Sequence, residues 1–368
     1  MKFFILSGAL KNAGDFLIVE RTKRLLQRVY PDSECIIFDR KKIMTKEDLD
    51  IANRCDAVIY AGGPSVRNNL YPKKVPLTPE LKNITTKIVG VGMGWSGAQG
   101  DWELAKGYEL DENTRELFKR IEKDAGYVSC RDWYTCKVLK SNGIMNVKMM
   151  GCPAWYNLEY LEKEYRAPEE IHKICISDPG NVLEYGQQAV DVSRYLKERF
   201  PAAEIKFVFH RGSQKSDQYT NSKTAQKALE LKHGIEALGI ECVDISYGYE
   251  KLKIYDSCDL HVGYRVHAHI YNLSRRGTSI LIEEDARGAG VNDALNLRHI
   301  CAFKKKVMIP VKNKILHIQK NRNICDEIDN WLERSIITNW QDYYYACSII
   351  EKSGQEMFKL IENIKKER

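Results

Sequence analysis

The sequence predicts an α/β protein of two Rossmann-like domains facing a cleft, followed by a C-terminal helical tail. Three observations lead there. Short apolar runs of strand length alternate with longer stretches of helical period over most of the 368 residues. Glycines cluster where the apolar runs end, as at Gly62-Gly63 and Gly92-Met93-Gly94. The alternation stops in a polar, aromatic stretch at 155–171 and then restarts. Alternating strands and helices imply parallel sheets, with a ligand crevice at the strands' carboxyl edge.

In order, Lys2–Ser7 reads as a strand and Gly8–Asp15 as a loop, with Asp15 as the N-cap of a helix reaching Arg28. Strands follow at Cys35–Phe38, Ala57–Tyr60, Ile88–Val91, Tyr127–Cys130 and Val147–Met150. Helices fall at Glu47–Asn53, Asp111–Asp124 and from Arg131-Asp132 to Leu139. The second half opens with the strand Ile174–Ser177, continues with Glu204–Phe209 and Glu241–Ile245, and places helices at Ala189–Phe200, Thr224–Leu238 and Tyr249–Asp256.

Residues 258–290 read as strand, turn, helix, strand and loop. The strand ends at Gly263, Val266, Ile270 and Leu273 recur at helical spacing, Gly277 closes the helix, and Ser279–Ile282 is the next strand. Residues 311–368 read as mainly helical, over Ile324–Trp331 and from Trp340 to about Ile364. The expected division is an acceptor-side domain over 1–165, a donor-side domain over 166–310, and a tail packing back on the first.

Length agrees, since such a chain is too long for one ordinary core. A hydrophobic content of 43% with 29% charged residues, and no apolar run long enough for a bilayer, predict a cytoplasmic protein without an integral membrane segment. Eleven scattered cysteines without a CxxC pair argue against structural zinc and a disulfide framework. The net charge of +7 suits an anionic small molecule, and no zinc knuckle, RNA-binding aromatic motif or lysine block points to nucleic acid.

Each candidate residue has a plain structural alternative. Asn12-Ala13-Gly14-Asp15 opens a helix after the first strand, either as a cleft element or as an ordinary cap. Gly62-Gly63, with Arg67 just beyond, lets a ligand approach the backbone or simply makes a tight turn. His210-Arg211 stand at a strand end on the same edge as Arg265 and His267. Two arginines and two histidines on one crevice rim suit a ligand with carboxylate and phosphate groups, and the alternative is surface charge. Glu284, within Glu283–Arg287, either meets substrate hydroxyls or is solvated. His267 and His269 do not share a helix face, so no metal is expected. Trp95, Trp133 and Trp155 either stack on sugar rings or belong to the core.

The ordered set Asn12-x-Gly14-Asp15, Gly62-Gly63, Gly92-x-Gly94, Cys130-Arg131-Asp132, Gly151-x-Pro153-Ala154 and Arg265-Val266-His267 resembles the polysaccharide pyruvyl transferase family across almost the whole chain. Pro64 stands where that family usually has a third glycine, and Cys152 where it has an aspartate. The resemblance implies a fold like that of GT-B glycosyltransferases. It also implies transfer of a pyruvyl group from phosphoenolpyruvate to two hydroxyls of a sugar on a glycan or a carrier-linked saccharide, giving a cyclic ketal. No cofactor is implied. Arg265 then holds phosphoenolpyruvate, with the backbone of Val266 contacting it and His267 as acid/base. Arg211 is the best match for a second donor arginine, with His210 beside it. Asn12, Gly14, Asp15, Gly62, Gly63 and Glu284 fall to the acceptor and cleft. Two other classes remain open. One is a GT-B-like glycosyltransferase with a nucleotide-sugar donor, served by Arg265 and Glu284. The other is a non-catalytic member of the fold, which Cys152 would suit.

Overall fold

The chain forms two parallel sheets, seen in a computed structural model that describes residues 1–212, 219–303, 307–311, 314–318 and 322–365. In the first sheet the strands lie in the order Glu34–Asp39, Lys2–Ser7, Ala57–Ala61, Ile88–Val91. Phe3, Phe4, Ile5 and Leu6 are all buried, so both faces of their strand are covered and the run is continuously apolar rather than alternating. A bridge from Met93 to Cys130 joins this sheet to the parallel pair Val128–Cys130 and Val147–Met149. The second sheet runs Glu241–Asp244, Glu204–Phe209, Lys173–Ser177, Leu260–Gly263, Thr278–Glu283, Ile300–Cys301, parallel throughout.

Strand order reverses beside Lys2–Ser7 in the first sheet and beside Lys173–Ser177 in the second. A crevice opens at the carboxyl end of such a switch point, because the connections leave in opposite directions. The segments following Ser7, Ala61, Ser177 and Gly263 are therefore the ones placed to meet a ligand. The halves are also packed as one body. A buried apolar cluster continues from Phe3 and Ile5 through Trp155 and Tyr156 to Ile176 and Val262.

Several boundaries differ from the sequence reading. The first helix spans Ala13–Val29 and its N-cap is Asn12, not Asp15. Ala13, Gly14, Leu17, Ile18, Arg21, Thr22, Leu25 and Leu26 are buried along it, so the inner stripe begins before Asp15 and the helix starts with it. The helix expected from Ala189 begins at Val182, because Val182, Tyr185, Gln188 and Ala189 already bury one face. Glu250–Ser257 is a 3-10 helix. The turn after the helix Val266–Ser274 is made at Arg276, with φ 63, one residue before Gly277.

The stretch expected to be helical from residue 311 instead begins within a hairpin, Val307–Val311 against Lys314–Ile318. The two helices after it divide their contacts. Cys325–Ile337 lies on Val182–Arg199, where Tyr195 Oη donates to Asp329 at 2.6 Å. Gln341–Glu362 crosses between the halves: Tyr343 Oη donates to Ser279 O at 2.8 Å, and Tyr30 Oη to Ile361 O at 3.1 Å. The connecting stretch 155–171 is not a loose linker, since Tyr165 stacks on Tyr343 at 5.5 Å.

Candidate active site in the cleft between the sheets

The carboxyl edges of the sheets enclose a cleft of about 500 Å³. From the second sheet, Leu260–Gly263 leads through Tyr264 to Arg265, the N-cap residue of the helix Val266–Ser274. Ala268 to Ser274 are all buried, so this helix presents only its N-terminus to the cleft. Its unpaired N–H groups and dipole make that end electropositive.

Arg265 is tied down. Its Nε donates to Asp178 Oδ1 at 2.7 Å, and its Nη2 to Asp178 Oδ2 at 2.5 Å and to Pro179 O at 3.1 Å. Burial works against the guanidinium's charge, but Asp178 outweighs it and the pKa rises. Behind the turn runs a buried chain of hydrogen bonds. Arg265 N–H donates to Ser177 Oγ at 3.1 Å; Ser177 Oγ pairs with His261 Nε2 at 2.9 Å; His261 Nδ1 and His269 Nδ1 both meet Ser279 Oγ, at 2.7 and 2.8 Å. Burial holds both histidines neutral, His269 at a pKa of about 3. His269 thus points into the second sheet while His267 faces the cleft. Among the described residues no three His, Cys, Asp or Glu side chains are grouped to hold a metal ion.

His267 is placed by the first half. A β-carbon built on Gly14 would overlap its Cβ, Cγ and Nδ1, so the imidazole lies flush against a residue that has no side chain. Burial, reinforced by Arg131, Arg287 and Arg265, lowers the His267 pKa to about 3. The ring is neutral at pH 7 and ready to accept a proton. Asp15, the next residue after Gly14, lines the cleft, and burial raises its pKa against the pull of Arg40. Asn12 lines it too, with a buried Oδ1 that has no donor among the described residues.

Gly62 and Gly63 adopt φ 42 and 75 and act through Arg40. Arg40 Nη1 donates to Gly62 O at 3.1 Å, and its guanidinium lies over the Tyr60 ring at 5.0 Å. His210 lies at the cleft lining, but its side chain turns inward. It is fully buried, its Nε2 meets Tyr255 Oη at 2.7 Å, and burial drives its pKa well down. The next residue, Arg211, is exposed at the cleft wall, with Nη2 donating to Tyr219 O at 3.5 Å.

Glu284 sits on the second-sheet side, where its oxygens accept from Gly180 N–H at 2.8 Å and Asn181 N–H at 3.0 Å. Burial raises its pKa to about 7. The acidic run it belongs to is not a solvated loop: Glu283 is 5% exposed and bonded to Asn292 and His299, and Asp285 caps the helix Ala286–Ala294. Trp95 and Trp155 are core, whereas Trp133 is 47% exposed. Cys152 is fully buried, and burial lifts its thiol pKa to about 11.

Several basic residues to which the sequence reading gave no role also line the cleft. Arg131 pairs with Asp132 at 3.1 Å and Arg287 with Asp285 at 2.6 Å. These two and Arg265 each carry their own aspartate. The opposite wall differs. Arg40, Lys41, Arg67 and Lys74 line it, and none of them has an ion pair among the described residues. Arg67 Nε is buried without an acceptor there, and burial lowers its pKa. An arginine just past a strand's carboxyl end was the available signal for both Arg40 and Arg67.

Two parallel α/β halves meeting at switch-point ends across one electropositive cleft define a GT-B-like protein. The fold is shared with UDP-GlcNAc 2-epimerase from Neisseria meningitidis bound to UDP-GlcNAc, at 8% identity, TM-score 0.54 and full coverage of both chains (100%). It is shared with the S. aureus MnaA–UDP structure at 8% identity and TM-score 0.50, covering 94% of this chain and 90% of that one. At such identity the likeness is one of fold alone. The family model for polysaccharide pyruvyl transferase matches residues 12–271, and the chain belongs to that family. No curated protein sequence matches it.

Proposed function

We propose that the protein transfers the pyruvyl group of phosphoenolpyruvate to two hydroxyls of a sugar on a surface glycan or its precursor, leaving a pyruvate ketal and inorganic phosphate. The observation that carries this reading is the neutral His267, held against Gly14 among arginines. Ketal formation needs two C–O bonds to form at the enol carbon while the C–O bond to phosphate breaks. Of the two hydroxyl protons, one ends on the methylene carbon, which becomes methyl, and the other leaves with phosphate. A neutral imidazole takes the first proton from the attacking hydroxyl and returns it to carbon. The trianionic donor beside it offsets the surrounding arginines, raising the pKa of His267 when the acid form is needed.

Arg40, Lys41, Arg67 and Lys74, which have no carboxylate partner among the described residues, support an anionic ligand, and the buried Arg67 Nε without an acceptor does so most directly. The nucleotide-sugar reading has less support, because both Glu284 oxygens are already committed to Gly180 and Asn181. The test is phosphate release from phosphoenolpyruvate in the presence of a saccharide fraction, with thermal stabilisation by the donor as a companion measurement. His267→Gln is expected to lower turnover by at least about 10²-fold while donor binding persists. Stabilisation by UDP, CDP or GDP and not by phosphoenolpyruvate would overturn the reading.

A further inference from the structure

A second cavity of about 600 Å³ opens beside the cleft. Gln99, Gly100, Asp101 and Tyr134 line it from the first half, and Glu283 and His299 from the second sheet's edge. The halves are close here, since a β-carbon on Gly100 would overlap the Ala289 side chain. The two cavities meet at one ion pair. Asp285 lines the second cavity, Arg287 lines the cleft, and their Oδ2 and Nη2 are 2.6 Å apart.

The chemistry of this cavity is the reverse of the cleft's. Its arginine, Arg322, is bound to Glu327, and its histidine, His299, pairs through Nδ1 with Glu283 at 2.7 Å. The carboxylates of Asp101, Glu283 and Asp285 line it as well. Gln99 Oε1 is a buried acceptor with no donor among the described residues. The Tyr134 ring lies 4.4 Å from that of Trp102, which is 44% exposed and carries the aromatic surface outward. An anion gains nothing in such a place. A neutral polyol gains more, because Gln99 Oε1, Asp101 Oδ2 and Glu283 Oε2, which take no donor among the described residues, accept from hydroxyls while aromatic faces cover the apolar face of a pyranose ring.

We propose that this cavity binds a neutral sugar unit of the acceptor, adjacent to the unit that is modified in the cleft. The preferred acceptor is then at least a disaccharide, with one ring beside His267 and its neighbour beyond the Asp285–Arg287 pair. The placement of the modified ring rests on the pyruvyl-transfer reading; binding in the second cavity does not.

The test is saturation-transfer NMR on the full chain. The probes are methyl glycosides of galactose, glucose, mannose and their 2-acetamido derivatives, together with β-linked disaccharides of the same sugars. At least one disaccharide is expected to bind five-fold or more tightly than its component methyl glycosides. Asp101→Asn, which keeps the helix cap, and Gln99→Ala are each expected to weaken that disaccharide about ten-fold, and Trp102→Ala to erase its advantage over the monosaccharides. Absence of saccharide binding, or binding indifferent to all three cavity variants, overturns the proposal even if phosphoenolpyruvate stabilises the protein. Disaccharide binding lost in these variants, with no response to phosphoenolpyruvate, sustains the cavity and overturns the transfer reading instead.

Discussion

The backbone of Gly14 and the imidazole of His267 lie in contact across the cleft, so closely that a single methyl group on Gly14 would overlap the ring. Gly14→Ala is therefore expected to push His267 out of position without unfolding the first helix, in which alanine is favourable. A displacement near 1 Å costs catalysis about 10²-fold. Phosphate release should fall by that order and the melting temperature should drop as well, since the clash falls on the ring's anchored Cβ and Cγ. Retention of turnover within three-fold would show that His267 does not act from this position.

Arg265 and Asp178 form a buried fork, with side-chain exposures of 13% and 7%. Removing one partner strands the other's charge, at a cost of about 3–5 kcal/mol. Asp178→Ala should show that loss in urea denaturation. Arg265→Lys keeps the charge but loses the paired geometry, and should weaken phosphoenolpyruvate binding as well. Equal midpoints for wild type and Asp178→Ala would refute the assignment.

Arg67 predicts a trade between stability and binding. Its buried Nε has no acceptor among the described residues, and an unsatisfied buried donor costs about 1–3 kcal/mol. Arg67→Met should raise the melting temperature of the ligand-free protein and weaken phosphoenolpyruvate about ten-fold. Calorimetric titration alongside a thermal melt reads both, and a fall in melting temperature would count against the idea.

Glu284 makes donor binding pH-dependent. Its folded-state pKa of about 7 is raised above the ordinary value of 4.5, so the protonated form is favoured by folding. The associated stability is fully present below about pH 4.5 and is lost as the pH rises through about 7. The same ionisation places a negative charge beside Arg265. Affinity for phosphoenolpyruvate should thus decline several-fold across neutrality in wild type and be flatter in Glu284→Gln. Identical slopes in the two proteins would exclude this role.

Tyr343 Oη donates to the carbonyl of Ser279 at 2.8 Å. Tyr343→Phe should cost about 1 kcal/mol, seen as a modest drop in melting temperature.

The segment around Arg265 and His267 was legible because local rules suffice there. An apolar strand ending in glycine and apolar residues at helical spacing set the turn, and the turn sets both side chains. The direction of the His210 side chain was not legible, because strand alternation no longer decides the residue just past the strand's end at Phe209; only the Tyr255 hydroxyl, 45 residues away, shows which way it went. Arg40 needed the sheet order, since the strand Glu34–Asp39 opens onto the cleft only by lying beside Lys2–Ser7. Arg131 and Arg287 pair with aspartates one and two residues away, which the chain spacing does offer, whereas the Arg265–Asp178 pair spans 87 residues and is a matter of tertiary distance. The second cavity is legible only in three dimensions, built from four separate stretches of the sequence.

The last long helix has a mechanical consequence. The chain crosses between the halves twice, once through residues 155–171 and once through Gln341–Glu362, and the crossings adhere through the Tyr165–Tyr343 stack. They therefore act as a doubled brace over the apolar cluster the halves share, and this brace holds Gly14 in register against His267.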